Sequence, residues 1–243
     1  LKKTDPDPDS DLKPLNQPCR MKRIPEPELM NDPLQAQAYA AADFDLPHAM
    51  FIRLFQETFP DILDNACVLD LGCGPGDITF RFARAYPGCR VHGVDGSEAM
   101  LAHARQALAA QQAMQGRVMF MKKILQVTEP SLKRYDIIIS NSLLHHLSDP
   151  AVLWNTVRSC AASGARVFIM DLKRPESIGA AQQLTDAYAA GEPEILRRDF
   201  YNSLLAAFTT GEIRQQLISA GLAGFAVHQA GDRHVVVSGR IEF

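Results

Sequence analysis

The chain has 243 residues, 47% of them apolar, and a formal net charge of −3. That is enough apolar chain for one substantial core, and the charge balance gives no reason to expect nucleic acid as a partner. No apolar run approaches the roughly 20 residues of a membrane span. The five cysteines, with no CxxC pair and no zinc-type spacing, read as free thiols of a cytoplasmic protein without a signal peptide.

Leu1 to Arg20 is rich in Pro, Asp and Lys and has no apolar period, so it is expected to be an extended arm or linker. Residues 21–65 read as an N-terminal helical cap. Within it, Ala36–Ala42 is a short helix carrying Tyr39, and a second helix follows Pro47. That second helix places Met50, Phe51, Leu54, Phe55 and Phe59 on one broad face and ends at Pro60. Tyr39 and His48 stand where they would close a site from above.

From Ala66 to the end the pattern is α/β. Cys67–Leu71 is a strand and Ile78–Tyr86 its helix; Arg90–Val94 is a second strand, ending at Asp95. Ser97 is an N-cap for a helix predicted to run through Gln115. Val118–Met121 is a third strand, and the Ile137-Ile138-Ile139 run marks Tyr135–Ser140 as a central one, buried on both faces. Asp149-Pro150 opens a helix to about Ala162, and Ala165–Met170 is a fifth strand, ending at Asp171. Glu176–Phe208 reads as an irregular helical lid broken at Gly191 and Pro193. Thr209-Thr210-Gly211-Glu212 has capping-box spacing. Phe225–Gln229 and His234–Ser238 then form a terminal hairpin.

The stretch Val68-Leu69-Asp70-Leu71-Gly72-Cys73-Gly74-Pro75-Gly76-Asp77 runs from a buried strand through a glycine turn into a helix. Such a turn lets a ligand approach bare backbone beside unpaired helix N–H groups, which suits a nucleotide-like cofactor. Asp95 lies 21 residues after Gly74, the distance at which a carboxylate meets ribose hydroxyls. A dinucleotide would satisfy that equally well. Against it, Asp77 occupies the slot of the third glycine in the dinucleotide fingerprint, and an acid there opposes phosphate charge. Asp70 at the mouth of the turn suits a cationic group such as an ammonium or a sulfonium. The terminal hairpin is also unusual for a dinucleotide fold.

This turn, followed by Gly93-Val94-Asp95-Gly96-Ser97-Glu98-Ala99-Met100-Leu101 and by Asn141-Ser142-Leu143-Leu144-His145-His146-Leu147-Ser148-Asp149-Pro150, resembles the class I S-adenosylmethionine-dependent methyltransferases. The resemblance covers Ala66 to Phe243. It implies a Rossmann-like, doubly wound, seven-stranded α/β sheet whose last strand is antiparallel. It places the methionine part of S-adenosylmethionine near Asp70, Gly72, Gly74 and Asn141, with Cys73 inside the turn. Asp95 would hold the ribose, and Gly96 and Met100 would line the adenine side. Where the family commonly has Gly-Asp-Ala, this chain has Lys123-Ile124-Leu125. Adenine would therefore rest on backbone and apolar contacts at Ile124 and Leu125.

Methyl transfer is an in-line displacement that needs alignment in a dry pocket, with or without a general base. The candidates at strand ends are His145, as base or acceptor-orienting group beside His146, and Asp171, as an orienting acid. Tyr201, in the lid with Arg197 and Arg198, could offer a phenol over the methyl group. Each has a plainer reading as packing, capping or a solvated face. No metal constellation is visible in the spacing of His, Cys, Asp and Glu. The expected activity is methyl transfer to a small molecule, with a homodimer left open. Protein or RNA acceptors, a non-catalytic cofactor-binding protein and an NAD-dependent oxidoreductase are the alternatives.

Overall fold

The computed structural model describes residues 21–27, 29–61, 65–125 and 134–242. The arm expected over Leu1–Arg20 lies outside them. Two helices, α1 (Pro33–Ala41) and α2 (Asp45–Thr58), precede β1 (Cys67–Leu71). The alternation continues through α3 (Asp77–Ala85), β2 (Arg90–Asp95), α4 (Glu98–Ala109), β3 (Val118–Lys122), β4 (Tyr135–Asn141), α5 (Ala151–Cys160) and β5 (Ala161–Leu172). Three helices, α6 (Ile178–Tyr188), α7 (Glu194–Ala206) and α8 (Thr210–Ser219), then lead to the hairpin β6 (Ala226–Ala230) and β7 (His234–Arg240).

The seven strands stand in the order β3-β2-β1-β4-β5-β7-β6. All neighbours are parallel except β7, which runs antiparallel between β5 and β6. Strand order reverses between β1 and β4, which opens a crevice at their carboxyl ends. The isoleucine run of β4 shows why the sheet is covered on both sides. Ile138 packs into one core cluster with Leu71, Trp154 and Val167, whereas Ile137 and Ile139 pack into the other with Phe51 and Phe168. Successive residues of a strand face opposite ways, so a continuous apolar run requires two cores.

The helices before the sheet are part of this second core. Phe51 and Phe55 of α2 meet Phe168 of β5 edge-on, with ring centroids 5.1 and 5.6 Å apart. Helix α2 begins at Asp45 and carries Pro47 in its first turn, rather than starting after it. The missing proline N–H costs nothing there, because first-turn N–H groups have no intrahelical partner. Helix α4 stops at Ala109, and a single 3₁₀ turn (Gln112–Met114) follows in place of the expected continuation. Helix α5 ends at Cys160 because Ala161 already pairs with Tyr135 of β4. Both halves of the capping box at Thr209 and Glu212 are formed. The stretch from Glu176 to Phe208 holds α6 and α7, joined by a break that contains Gly191 and Pro193. Among the described residues, no helix is long and apolar enough to cross a membrane.

Phe55 is fully buried among rings, so Phe55→Ala is expected to cost about 3–5 kcal/mol in urea unfolding. Ile218→Ser, at a position 55% exposed, should stay within about 0.5 kcal/mol.

Candidate active site

The glycine turn is pinned to the neighbouring strand. Gly72 N and Cys73 N both donate to Val94 O, at 2.9 and 3.1 Å. Gly72 has φ +69° and lies against Leu143, where a Cβ would come within 2.8 Å of the leucine side chain. Gly74 has φ +52° but nothing within 4 Å of where its Cβ would be, so its backbone faces open space.

Two carboxylates flank that space. Asp95 accepts from Gly74 N at 2.9 Å and from Ser97 N at 2.8 Å, joining the turn to the start of α4. Burial raises its pKa, and those backbone donors oppose the rise. Asp70 is 1% exposed and accepts from Thr79 Oγ1 at 2.5 Å. Burial pushes its carboxyl up to about 7 despite the Thr79 bond. The Cys73 thiol is pushed well up by burial and by Asp70 and Asp95, so it is no nucleophile. Asp77 is engaged by His48 Nδ1 and by Arg81 Nε, each at 2.6 Å. Burial would raise its pKa, but these two partners hold it below the usual range. It ties α2 to α3 instead of standing bare at a helix start.

A single cavity of about 590 Å³ runs over these groups. Asp70, Gly72, Cys73, Gly74, Asp95, Gly96, Met100, Ile124, Leu125 and Asn141 all line it. Tyr39 and His48 line it from the helical cap. Burial, reinforced by Asp95 and Asp77, pushes the Tyr39 phenol up to about 12, so it stays a neutral donor. Asn141 Oδ1 is buried without a hydrogen-bond partner among the described residues, while its Nδ2 donates to Ser142 Oγ at 3.2 Å. Ser142 itself holds the left-handed region, φ 55°, where β4 turns out of the sheet.

The opposite end of the cavity is built around Asp171. Its Oδ2 accepts from Leu144 N at 2.6 Å and from His145 N at 3.3 Å, and its Oδ1 meets His145 Nδ1 at 2.5 Å. Asp171 is 2% exposed and does not line the cavity; it acts through His145, which does. Burial would raise Asp171, but His145 beside it and the bonds it accepts hold its pKa low. Burial would equally lower His145, but Asp171 and Glu26 carry its pKa above the ordinary value. His146 differs: burial and the neighbouring His145 push it down to about 3, so it is neutral.

Tyr201 is not where the lid expectation put it. It packs against the cluster of Leu172, Ala181, Leu204, Leu205 and Ala207 and does not line the cavity, and the cavity face of α7 is Leu196, Asp199, Phe200 and Ser203. A helix spreads consecutive residues around its axis, so placing the lid did not decide which residue faces in.

Two residues at this end carry no sequence signal. Arg23 donates to the carbonyls of His145 and Leu147, at 2.7 and 2.9 Å, and to Ala206 O at 2.5 Å. Glu26 accepts from Ser203 Oγ at 3.0 Å and reaches His145 Nε2 and His146 Nδ1 at 3.5 and 3.2 Å. Both sit in residues 21–32, of which the described ones form no helix or strand and strap the sheet's carboxyl edge. Further along the strap, Met30 O accepts from Ser97 Oγ at 2.6 Å. A Cβ on Gly96 would meet Leu29 at 2.6 Å. Without periodicity or caps, the strap's role was not legible from sequence.

A family model described as "Methyltransferase domain" matches residues 69–167. The fold is similar to that of S-adenosylmethionine-dependent methyltransferases, and the family match runs from β1 into β5. Among curated proteins, the chain is 40% identical to the trans-aconitate 2-methyltransferase of Azoarcus sp. (strain BH72) over 90 residues, 37% of this chain and 32% of that protein. It is 41% identical to the protein of that name from Streptomyces avermitilis over 81 residues, 33% of this chain and 29% of that one. The chain thus spans about a third of the length of the curated relatives it matches. Among solved structures, a SAM-dependent methyltransferase from Aquifex aeolicus matches with TM-score 0.60 at 18% identity, covering 86% of this chain and 98% of that one. A putative S-adenosyl-L-methionine-dependent methyltransferase from Methanococcus maripaludis gives 0.65 at 14%, covering 88% and 96%. The plantazolicin methyltransferase BpumL, solved with SAH, gives 0.62 at 15%, covering 85% and 90%. At these identities the structures speak to fold.

Asp171→Ala leaves the buried His145 ring and three backbone N–H groups, those of Leu144, His145 and Leu172, without their acceptor and should cost about 3–5 kcal/mol. A raised His145 stabilises fully below the ordinary imidazole range and loses that contribution as pH climbs through its raised pKa. A depressed Asp171 stabilises above the ordinary carboxylate range and loses it as pH falls through its lowered pKa. The wild-type advantage over Asp171→Ala should therefore be flat between about pH 4 and 6.5 and shrink on either side, read by urea unfolding across pH.

Proposed function

We propose that this chain transfers the methyl group of S-adenosylmethionine to a small-molecule acceptor. The observation that carries the reading is one continuous cavity with the glycine turn and Asp95 at one end and the His145 wall at the other. The residues present suit the cofactor. Gly74 offers bare backbone to the cavity, and Asn141 Oδ1 is a buried acceptor that lacks a donor. Asp95 would take the ribose hydroxyls, and Asp70 and Asn141 the ammonium. Gly96, Met100, Ile124, Leu125 and Leu29 would enclose the adenine. The bound cofactor supplies an electrophilic methyl on a sulfonium.

The chain's own work is to align the acceptor and keep water out. His145, held by Asp171, is the orienting group at that end, with Ser203 and Asp199 of α7 beside it on the wall. The charges of the wall favour a neutral or cationic acceptor over a tricarboxylate such as the one in the relatives' name. Besides Asp70 and Asp95, which the cofactor would engage, Asp199 and Glu192 line the cavity, and Lys123 stands next to Ile124 and Leu125 on the adenine side. Arg81 is already held by Asp77 and Asp45, and Arg233 by Asp232.

Calorimetric titration with S-adenosylmethionine tests the cofactor assignment. Asp95→Ala should weaken binding at least tenfold, and equal affinity would overturn the ribose contact. Because Asp70 must ionise to meet an ammonium, affinity should rise by up to about tenfold per pH unit toward pH 7 and level off above it. Asp70→Asn should flatten that slope. Release of demethylated cofactor on incubation with a metabolite pool would demonstrate turnover.

A further inference from the structure

We propose that Glu26, His145 and His146 form a site for a divalent transition-metal ion, zinc by ligand type, at the acceptor end of the cavity. This deepens the methyltransferase reading and rests on it for the acceptor's position. One ligand atom from each residue lies within 4.8 Å of the other two. Glu26 Oε1 is 3.5 Å from His145 Nε2 and 3.2 Å from His146 Nδ1. Ligands bonded at 2.0–2.1 Å in a tetrahedron stand about 3.3 Å apart, so two of the three edges already match. Closing the third edge takes a shift of at most about 1.5 Å from that ideal.

The hydrogen bonds around the cluster leave lone pairs pointing inward. Asp171 Oδ1 engages His145 Nδ1 at 2.5 Å, which orients Nε2 toward Glu26. A carboxylate behind a ligand histidine is the usual second support of a metal site. On His146, Nδ1 is buried without a hydrogen-bond partner among the described residues, while the ring bonds the backbone of Pro27. Glu26 is steadied by Ser203 Oγ at 3.0 Å. Two histidines and a glutamate are a catalytic zinc set that leaves one position open. Both histidines line the cavity, so that position faces the acceptor. An oxygen or thiol of a neutral acceptor could bind there as its anion, releasing its proton to solvent, in an otherwise acidic pocket.

Sequence spacing hides such a set, because Glu26 is far along the chain from the His145-His146 pair. The strap closes that separation: Ile24 N donates to Leu205 O, and Arg23 bonds the carbonyl of His145.

The test is zinc titration of chelator-treated full-length protein by competition with a chromophoric chelator, with cofactor binding measured on every sample. The wild type should bind one equivalent. Glu26→Gln and His146→Ala should each weaken zinc at least tenfold, and Asp171→Asn by 10- to 100-fold, while His228→Ala, at an exposed histidine, changes nothing. Failure of the wild type to take up stoichiometric zinc, or equal affinity in Glu26→Gln and His146→Ala, overturns the site and leaves a shared proton as the link between Glu26 and His145. Cofactor binding in those same samples keeps the methyltransferase reading standing whatever the zinc result. Its loss alone, with zinc retained, would sink that reading and leave the metal site.

Discussion

A carboxylate sealed from water has to find its donors in the protein, and Asp171 finds them in the loop that leaves β4. Leu144 N, His145 N and the His145 ring all converge on it, and Leu172 N closes the set at 2.6 Å. The loop after a buried parallel strand has no regular partner of its own, so this charge at the end of the next strand supplies one. The polar groups of that loop then take their place from the anchor. His145 is oriented by it, His146 follows one residue on, and the strap carrying Arg23 and Glu26 docks on the carbonyls that the loop presents.

At the other end of the cavity the same logic operates through Asp95. A buried acid at the end of β2 takes the N–H groups of Gly74 and Ser97, so turn, strand and helix α4 share one fixed point. The two anchored ends lie on either side of the β1–β4 reversal, where an open α/β sheet parts to admit a ligand. Asp70 lies between them on β1, and Asn141, with its unpartnered oxygen, ends the adjacent strand β4. The Asp70 carboxyl holds a proton up to about pH 7, which a cationic ligand would displace.

The helical segments around the sheet divide by how they meet it. Helix α2 is part of the core through Phe51 and Phe55, as its aromatic stripe implied. The described residues among 21–32 cross the cavity edge with hydrogen bonds and a few apolar contacts, and their sequence shows no repeat that could be read in advance. Helix α7 contributes Asp199, Phe200 and Ser203 to the cavity and turns Tyr201 toward Leu204 and Leu205.

By itself the sequence determined the strand order's ingredients and the glycine-turn end of the cavity. Buried strands repeat in patterns set by the backbone, and a glycine turn followed by an acid at ribose distance is a local chemical device whose parts lie close in the chain. Asp70, Gly72, Gly74 and Asp95 were legible for that reason, and Asn141 only through the resemblance; all five line the cavity. Only the tertiary structure decided the opposite end, around Asp171. Whether Asp171 faces ligand or loop depends on which donors reach it, and Tyr201's direction depends on the rotation of α7. The meeting of Glu26 with His145 and His146 depends on a strap held by contacts distant in sequence. Periodicity carries no information about such contacts, because they are set by three-dimensional packing.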